Sequence, residues 1–153
     1  MNKKTMLTAV LLLVISSFHS SFTTSTGGEG FEIYVDNKLV LQQFHQQMKQ
    51  TKNIQLTAAN SKSVLKVKYY HCGMAGKSRI LALKNAEQKT LQQWEFKNEE
   101  GKNFGITVAV KDILASQQKP GNTTVYLYYA SKEAPQGRLL AGIIQTDQAM
   151  AKK

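Results

Sequence analysis

The stretch that most constrains this chain is residues 64–72, Val-Leu-Lys-Val-Lys-Tyr-Tyr-His-Cys. Leu65, Val67, Tyr69 and His71 share one parity, and Lys66, Lys68, Tyr70 and Cys72 share the other. Side chains alternate across a strand, so one row suits a core and the other suits water. Residues 123–129 repeat the pattern, with Val125, Leu127 and Tyr129 against Thr124, Tyr126 and Tyr128. Two such segments make the chain a sheet former.

The remaining segments follow the same logic. Phe31-Glu32-Ile33-Tyr34-Val35 alternates, Asp36-Asn37 reads as a tight turn, and residues 38–44 return as a second strand. Residues 43–52 suit a helical turn or a polar loop, with Phe44 and Met48 four apart on one side. Ile54, Leu56 and Ala58 alternate next, and Asn60-Ser61-Lys62-Ser63 turns the chain into residues 64–72. Arg79-Ile80-Leu81-Ala82-Leu83 is a short apolar run suited to a well-covered strand. Residues 91–96 place Trp94 and Phe96 on one face as expected core anchors, and Ile106, Val108 and Val110 form a further inward row. Residues 111–115 suit one helical turn before Pro120-Gly121-Asn122, and residues 138–145 close the fold as a last strand. The expectation is a single antiparallel β-sandwich, immunoglobulin-like or jelly-roll, of about eight or nine short strands with turns between.

The chain opens differently. Asn2, Lys3 and Lys4 precede an apolar run over residues 6–15, and serines and threonines follow to Thr26. A basic start, a short greasy segment and a small-residue exit describe a secretory signal peptide. The run is shorter than the ~20 residues of a membrane span, so no integral anchor is expected. The division is therefore a signal peptide and flexible lead-in over residues 1–25, a β-sandwich over 26–148 and a disordered tail over 149–153. Export to a bacterial periplasm or exterior follows as an expectation.

The full chain of 153 residues carries a formal charge of +10, and loss of Lys3 and Lys4 leaves 18 basic against 10 acidic side chains, +8. That excess favours acidic partners. Nucleic acid is disfavoured, because the charge is scattered lysine with only Arg79 and Arg138 as forked guanidiniums. A single cysteine allows no internal disulfide, so stability must come from the core.

Val110-Lys111-Asp112-Ile113-Leu114, followed by Lys119-Pro120-Gly121-Asn122 and an alternating strand, resembles a turn of jelly-roll accessory domains of bacterial glycosidases. The strand and Asp-Asn-Lys turn over residues 31–40 are similar to pieces of the same domains. The resemblance implies a fold and assigns no sugar ligand to any residue.

Few residues invite chemistry. His71 and Cys72 are neighbours, but adjacent strand side chains point to opposite faces, so they form no nucleophile–base pair. His45 stands 26 residues before His71, and no paired metal-ligand spacing occurs, so neither a metal nor another cofactor is expected. Glu99 and Glu100 adjoin in a turn rather than face each other across a cleft, and no nucleophile elbow or phosphate loop is present. What remains is a surface. If the strands at 64–72 and 123–129 share a sheet, Lys66, Lys68 and Tyr70 lie near Tyr126 and Tyr128, offering flat rings and cations to a ligand. The expected function is non-enzymatic binding of a protein or a cell-envelope polysaccharide through that face. The alternative is a carbohydrate-binding module for glycans, including acidic ones. An enzyme of unknown type comes third.

Overall fold

The computed structural model describes residues 28–99, 104–118 and 123–146. The signal peptide, the tail from residue 149 and the Lys119-Pro120-Gly121-Asn122 turn lie outside the described residues.

Among the described residues nine strands form two sheets. They are β1 (Gly30–Val35), β2 (Lys38–Phe44), β3 (Lys52–Leu56), β4 (Val64–Tyr70), β5 (Arg79–Lys84), β6 (Thr90–Phe96), β7 (Ile106–Ala109), β8 (Thr124–Ala130) and β9 (Arg138–Gln145). One sheet has the order β2-β1-β4-β7, and the other β3-β9-β8-β5-β6. Their inner faces share one core, so the fold is an all-β sandwich. The alternation reads true in both marker strands: Leu65, Val67 and Tyr69 of β4 and Val125, Leu127 and Tyr129 of β8 are all buried. Asp36 and Asn37 both take positive φ, 49° and 66°, as a two-residue hairpin turn requires.

Several expectations need correction. β4 pairs with β1 and β7, whereas β8 pairs with β5 and β9, so the two marker strands belong to different sheets. The sandwich is also not wholly antiparallel, because β3 runs parallel to β9. That pairing is possible because the chain crosses between sheets after β2, and β3 then docks beside the last strand. Trp94 and Phe96 are only partly buried against the core. They sit on β6, the outermost strand of its sheet among the described residues, where one flank has no neighbouring strand to cover it.

The segment after β7 is longer than one turn. Val110–Gln117 forms α1, and Val110, Ile113, Leu114 and Gln117 are buried at the helical spacing i, i+3, i+4, i+7. Val110 thus continues the inward row of Ile106 and Val108 as a helical residue rather than a strand residue. Gln117 donates through Nε2 to the carbonyls of Thr123 (3.2 Å) and Ile143 (3.0 Å), tying the helix to β8 and β9. Together with the short 3₁₀ segment Ala58–Lys62, α1 seals one end of the sandwich. Ala58, read as the end of an alternating strand, lies in that exposed turn.

Candidate functional site

Three places concentrate polar chemistry. The first is the outer face of the four-stranded sheet, which carries Lys66, Lys68 and Tyr70. β1 pairing sets Glu32 opposite Lys68 and Tyr34 opposite Lys66. Glu32 accepts from the Tyr34 hydroxyl (2.7 Å), the Tyr70 hydroxyl (2.8 Å) and Gln42 Nε2 (3.3 Å). The Lys66 ammonium donates to Asn37 Oδ1 (2.7 Å) and lies 5.2 Å from the Tyr34 ring centroid, with the Lys68 ammonium at 5.8 Å. Burial, then the Glu32 carboxylate, pushes the Tyr70 phenol up to about 12. Tyr70 is moreover flanked by the rings of Phe44 (5.8 Å) and Phe104 (5.2 Å). Phe44 lies across Gly30, where a Cβ would come within 1.9 Å of its ring. This face is wired to itself: its carboxylate is filled and its tyrosines are spent.

The second place is the open end of the sandwich, opposite α1. Tyr69 and Tyr129 stack between the sheets with centroids 4.2 Å apart and planes at 6°. Tyr69 donates to Glu29 Oε1, which also receives Arg138 Nε at 3.0 Å. Burial alone would raise Glu29, but those two bonds outweigh it and hold its carboxyl below the usual range. The same carboxylate and, more strongly, burial drive the Tyr69 phenol far upward.

His71 stands beside this stack. Its Nε2 is 3.1 Å from Ser131 Oγ and 3.3 Å from the Tyr129 hydroxyl. Ser131 Oγ already accepts from the backbone N–H groups of Glu133 and Ala134, both at 3.2 Å, so its proton is directed to the imidazole. Burial lowers the His71 pKa and keeps the ring neutral as an acceptor. A Ser–His pair of this kind is a poor nucleophile. The Ser131 side chain is buried, and both of its lone pairs are engaged by backbone N–H groups. Cys72 points elsewhere, exposed at the tip of a two-residue turn with φ of 51° at Cys72 and 83° at Gly73. His45 packs its ring against Gly28, so the structure does not bring the two histidines onto one partner. Among the described residues no cluster of three metal-ligating side chains occurs.

The third place is the outer face of the five-stranded sheet, which carries Tyr126 and Tyr128. Register sets Tyr126 beside Lys84 and Tyr128 beside Ala82. A shallow cleft of about 210 Å³ lies here, walled by Lys84, Thr90, Gln93, Tyr128 and Pro135 with Ala82 in its lining. The small Ala82 leaves the depression. The Lys84 ammonium sits 4.6 Å from the Tyr128 ring centroid, and Tyr128 donates to Gln88 Oε1 at 2.9 Å. Tyr126 lies farther along, beside the Gly142 backbone, with Asn53 filling the space above that glycine.

The five residues grouped from the sequence therefore split into two sets on opposite sides of the molecule: Lys66, Lys68 and Tyr70 on one, Tyr126 and Tyr128 on the other. Their rows do not meet. Sequence reasoning also passed over Glu32, Glu29, Arg138, Ser131 and Lys84. One signal was available: the chain has two arginines, and both proved to be structural clasps. Comparison with known protein families, with curated proteins and with solved structures finds no match for this chain.

Proposed function

We propose that this chain is an exported, non-catalytic binding domain that holds an acidic glycan of the cell envelope on the outer face of its five-stranded sheet. The observation that carries the reading is the Tyr128–Lys84 cleft. There an ammonium is poised over an aromatic ring, Thr90 and Gln93 supply further polar groups, and Ala82 leaves room. Among the described residues Lys84 makes no ion pair with a carboxylate, so its charge stays available to a ligand. The ring face is covered by the ammonium. A sugar carboxylate meeting Lys84 therefore fits better than a neutral sugar stacked on Tyr128.

The opposite face offers less, because Glu32 already takes the hydroxyls of Tyr34 and Tyr70. The absence of catalysis rests on the engaged Ser131 hydroxyl and on Cys72 being turned away from His71. The basic start and apolar run of residues 1–25 support export. A jelly-roll kinship with glycosidase accessory domains belongs to the same proposal; the Val110–Leu114 segment that carries the resemblance is the first turn of a helix plugging the sandwich.

A glycan array of neutral and uronic-acid oligosaccharides tests the reading, with wild type beside Lys84→Met and Tyr128→Ala. Retention of uronic-acid ligands by wild type, and loss of about tenfold or more in either variant, is expected. Binding that survives both substitutions would sink it.

A further inference from the structure

A different part of the molecule, independent of the glycan reading, has the features of a peptide-docking site. β2 and β3 are edge strands of opposite sheets, and they flank one seam of the sandwich. Two adjoining concavities of about 360 and 420 Å³ open along it. Both are lined by Val35, Lys38, Val40 and Gln55, one also reaching Leu56 and the other Leu39 and Ile54.

The apolar surface here is unusual for an edge. Leu39 and Val40 are 44% and 40% exposed, two of four large hydrophobics so exposed among the described residues. The cause lies in the register of the first hairpin. Ile33 pairs with Leu41 but Tyr34 pairs with Leu39, so Val40 is the extra residue of a β-bulge and has no ladder partner. Its side chain lines the seam instead. Among the described residues the outer edges of β2 and β3 have no strand partner and run beside the same concavities, so an extended chain entering the seam has backbone groups to bond on either wall.

We infer that this seam docks an extended acidic peptide of a partner protein, with apolar side chains at alternate positions and a carboxylate reaching Lys38. Charge decides the occupant. Lys38 lines both concavities, and Lys52 opens β3. The one acid of the lining, Asp36, is turned to the β4 backbone, its Oδ1 accepting the Val64 N–H at 3.0 Å, and Lys38 and Lys52 outnumber it along the seam. A second copy of this chain would bring its own excess of lysine to the same seam, which disfavours self-association.

The probe is a fluorescein-labelled seven-residue peptide alternating valine with aspartate or glutamate, blocked at both ends, titrated into the full chain by fluorescence anisotropy. A second peptide carries lysine in place of each acid. Saturable binding of the acidic peptide, at least tenfold tighter than the lysine peptide, is expected. Val40→Glu should weaken it tenfold or more. Lys38→Glu, at an exposed position, should reverse the preference between the two peptides, and Tyr128→Ala should change neither. Absence of binding, equal affinity for both peptides, or indifference to Lys38→Glu overturns the inference. So does a dimer in sedimentation equilibrium that Val40→Glu dissolves, since the seam would then belong to a second copy.

Discussion

Arg79 is 2% exposed, and its fork donates to the carbonyls of Phe104 and Lys97, both at 2.7 Å, with Glu99 at 3.5 Å. Those carbonyls bracket the crossover from β6 in one sheet to β7 in the other. A guanidinium spans both at once and an ammonium does not. Arg79→Met strands the buried Phe104 carbonyl and removes the donor to the half-buried Lys97 carbonyl, and a loss of about 2–4 kcal/mol in urea unfolding is expected, with Arg79→Lys recovering little of it. A loss under ~1 kcal/mol for Arg79→Met would contradict the clasp. Nothing near Arg79 in the sequence announces this role, because its acceptors lie 18 and 25 residues away. His71 was legible only in part. Its parity put it on the inner row after Tyr69, but the strand read over residues 64–72 ends at Tyr70. A turn rather than alternation separates His71 from Cys72, and its partners Tyr129 and Ser131 lie some 60 residues on. The lowered pKa of His71 has a measurable sign. The unfolded chain takes up the proton near the ordinary value of about 6.5, whereas the folded chain resists it, so stability falls as pH drops below neutral. A second loss follows in the carboxylate range, where Glu29 and Glu133, held below their usual values, are protonated. Urea midpoints from pH 8 to about pH 2 should show both steps, the second below the ordinary glutamate value of about 4.5, and His71→Asn should flatten the first. A midpoint constant from pH 7 to 5.5 in the wild type would contradict it.

Among the elements, β4 and β8 meet through Tyr69 and Tyr129, one ring from each sheet. A double-mutant cycle with Tyr69→Leu and Tyr129→Leu should return a coupling of about 0.5–1.5 kcal/mol, the worth of an aromatic pair beyond its buried area. Zero coupling would mean that the stack is only proximity. The loop after β4 closes on this pair at Gly76, where a Cβ would fall 2.5 Å from the Tyr129 hydroxyl and 2.8 Å from Ser131. Gly76→Ala should therefore destabilise the fold and speed amide exchange in residues 71–78, while leaving α1 unaffected; uniform exchange would contradict a local effect. The faces of both strands were readable because alternation is a local property. Sheet membership was not, since it depends on which distant strand each one meets. β3 illustrates this: its sequence alternates like the others, and only its place beside β9 makes it parallel. Trp94 misled for a related reason, because a large apolar ring marks a core-facing side but not whether the strand is central or at an edge.

At the scale of the molecule, one end is plugged by a helix, the other by stacked tyrosines, and the two broad faces have opposite characters. On the face of β1 and β4 the Glu32 carboxylate takes the Tyr34 and Tyr70 hydroxyls and Asn37 takes the Lys66 ammonium, whereas on that of β5 and β8 the Lys84 ammonium lies over the Tyr128 ring beside an open cleft. The positive charge that favoured acidic partners was legible from composition. Its division between faces was not, because Lys66 and Lys84 read alike until strand order sets one beside Tyr34 and Asn37 and the other over Tyr128. The central claim is that ligand binding belongs to the second face. The direct test is a backbone-amide NMR titration with a uronic-acid oligosaccharide bound on the array, in wild type and in Lys66→Ala/Lys68→Ala. The account predicts shifts confined to β5, β6 and β8, centred on Lys84 and Tyr128, with an affinity unchanged within about twofold by the double substitution. Shifts centred on β1 and β4, abolished when Lys66 and Lys68 are removed, would contradict it.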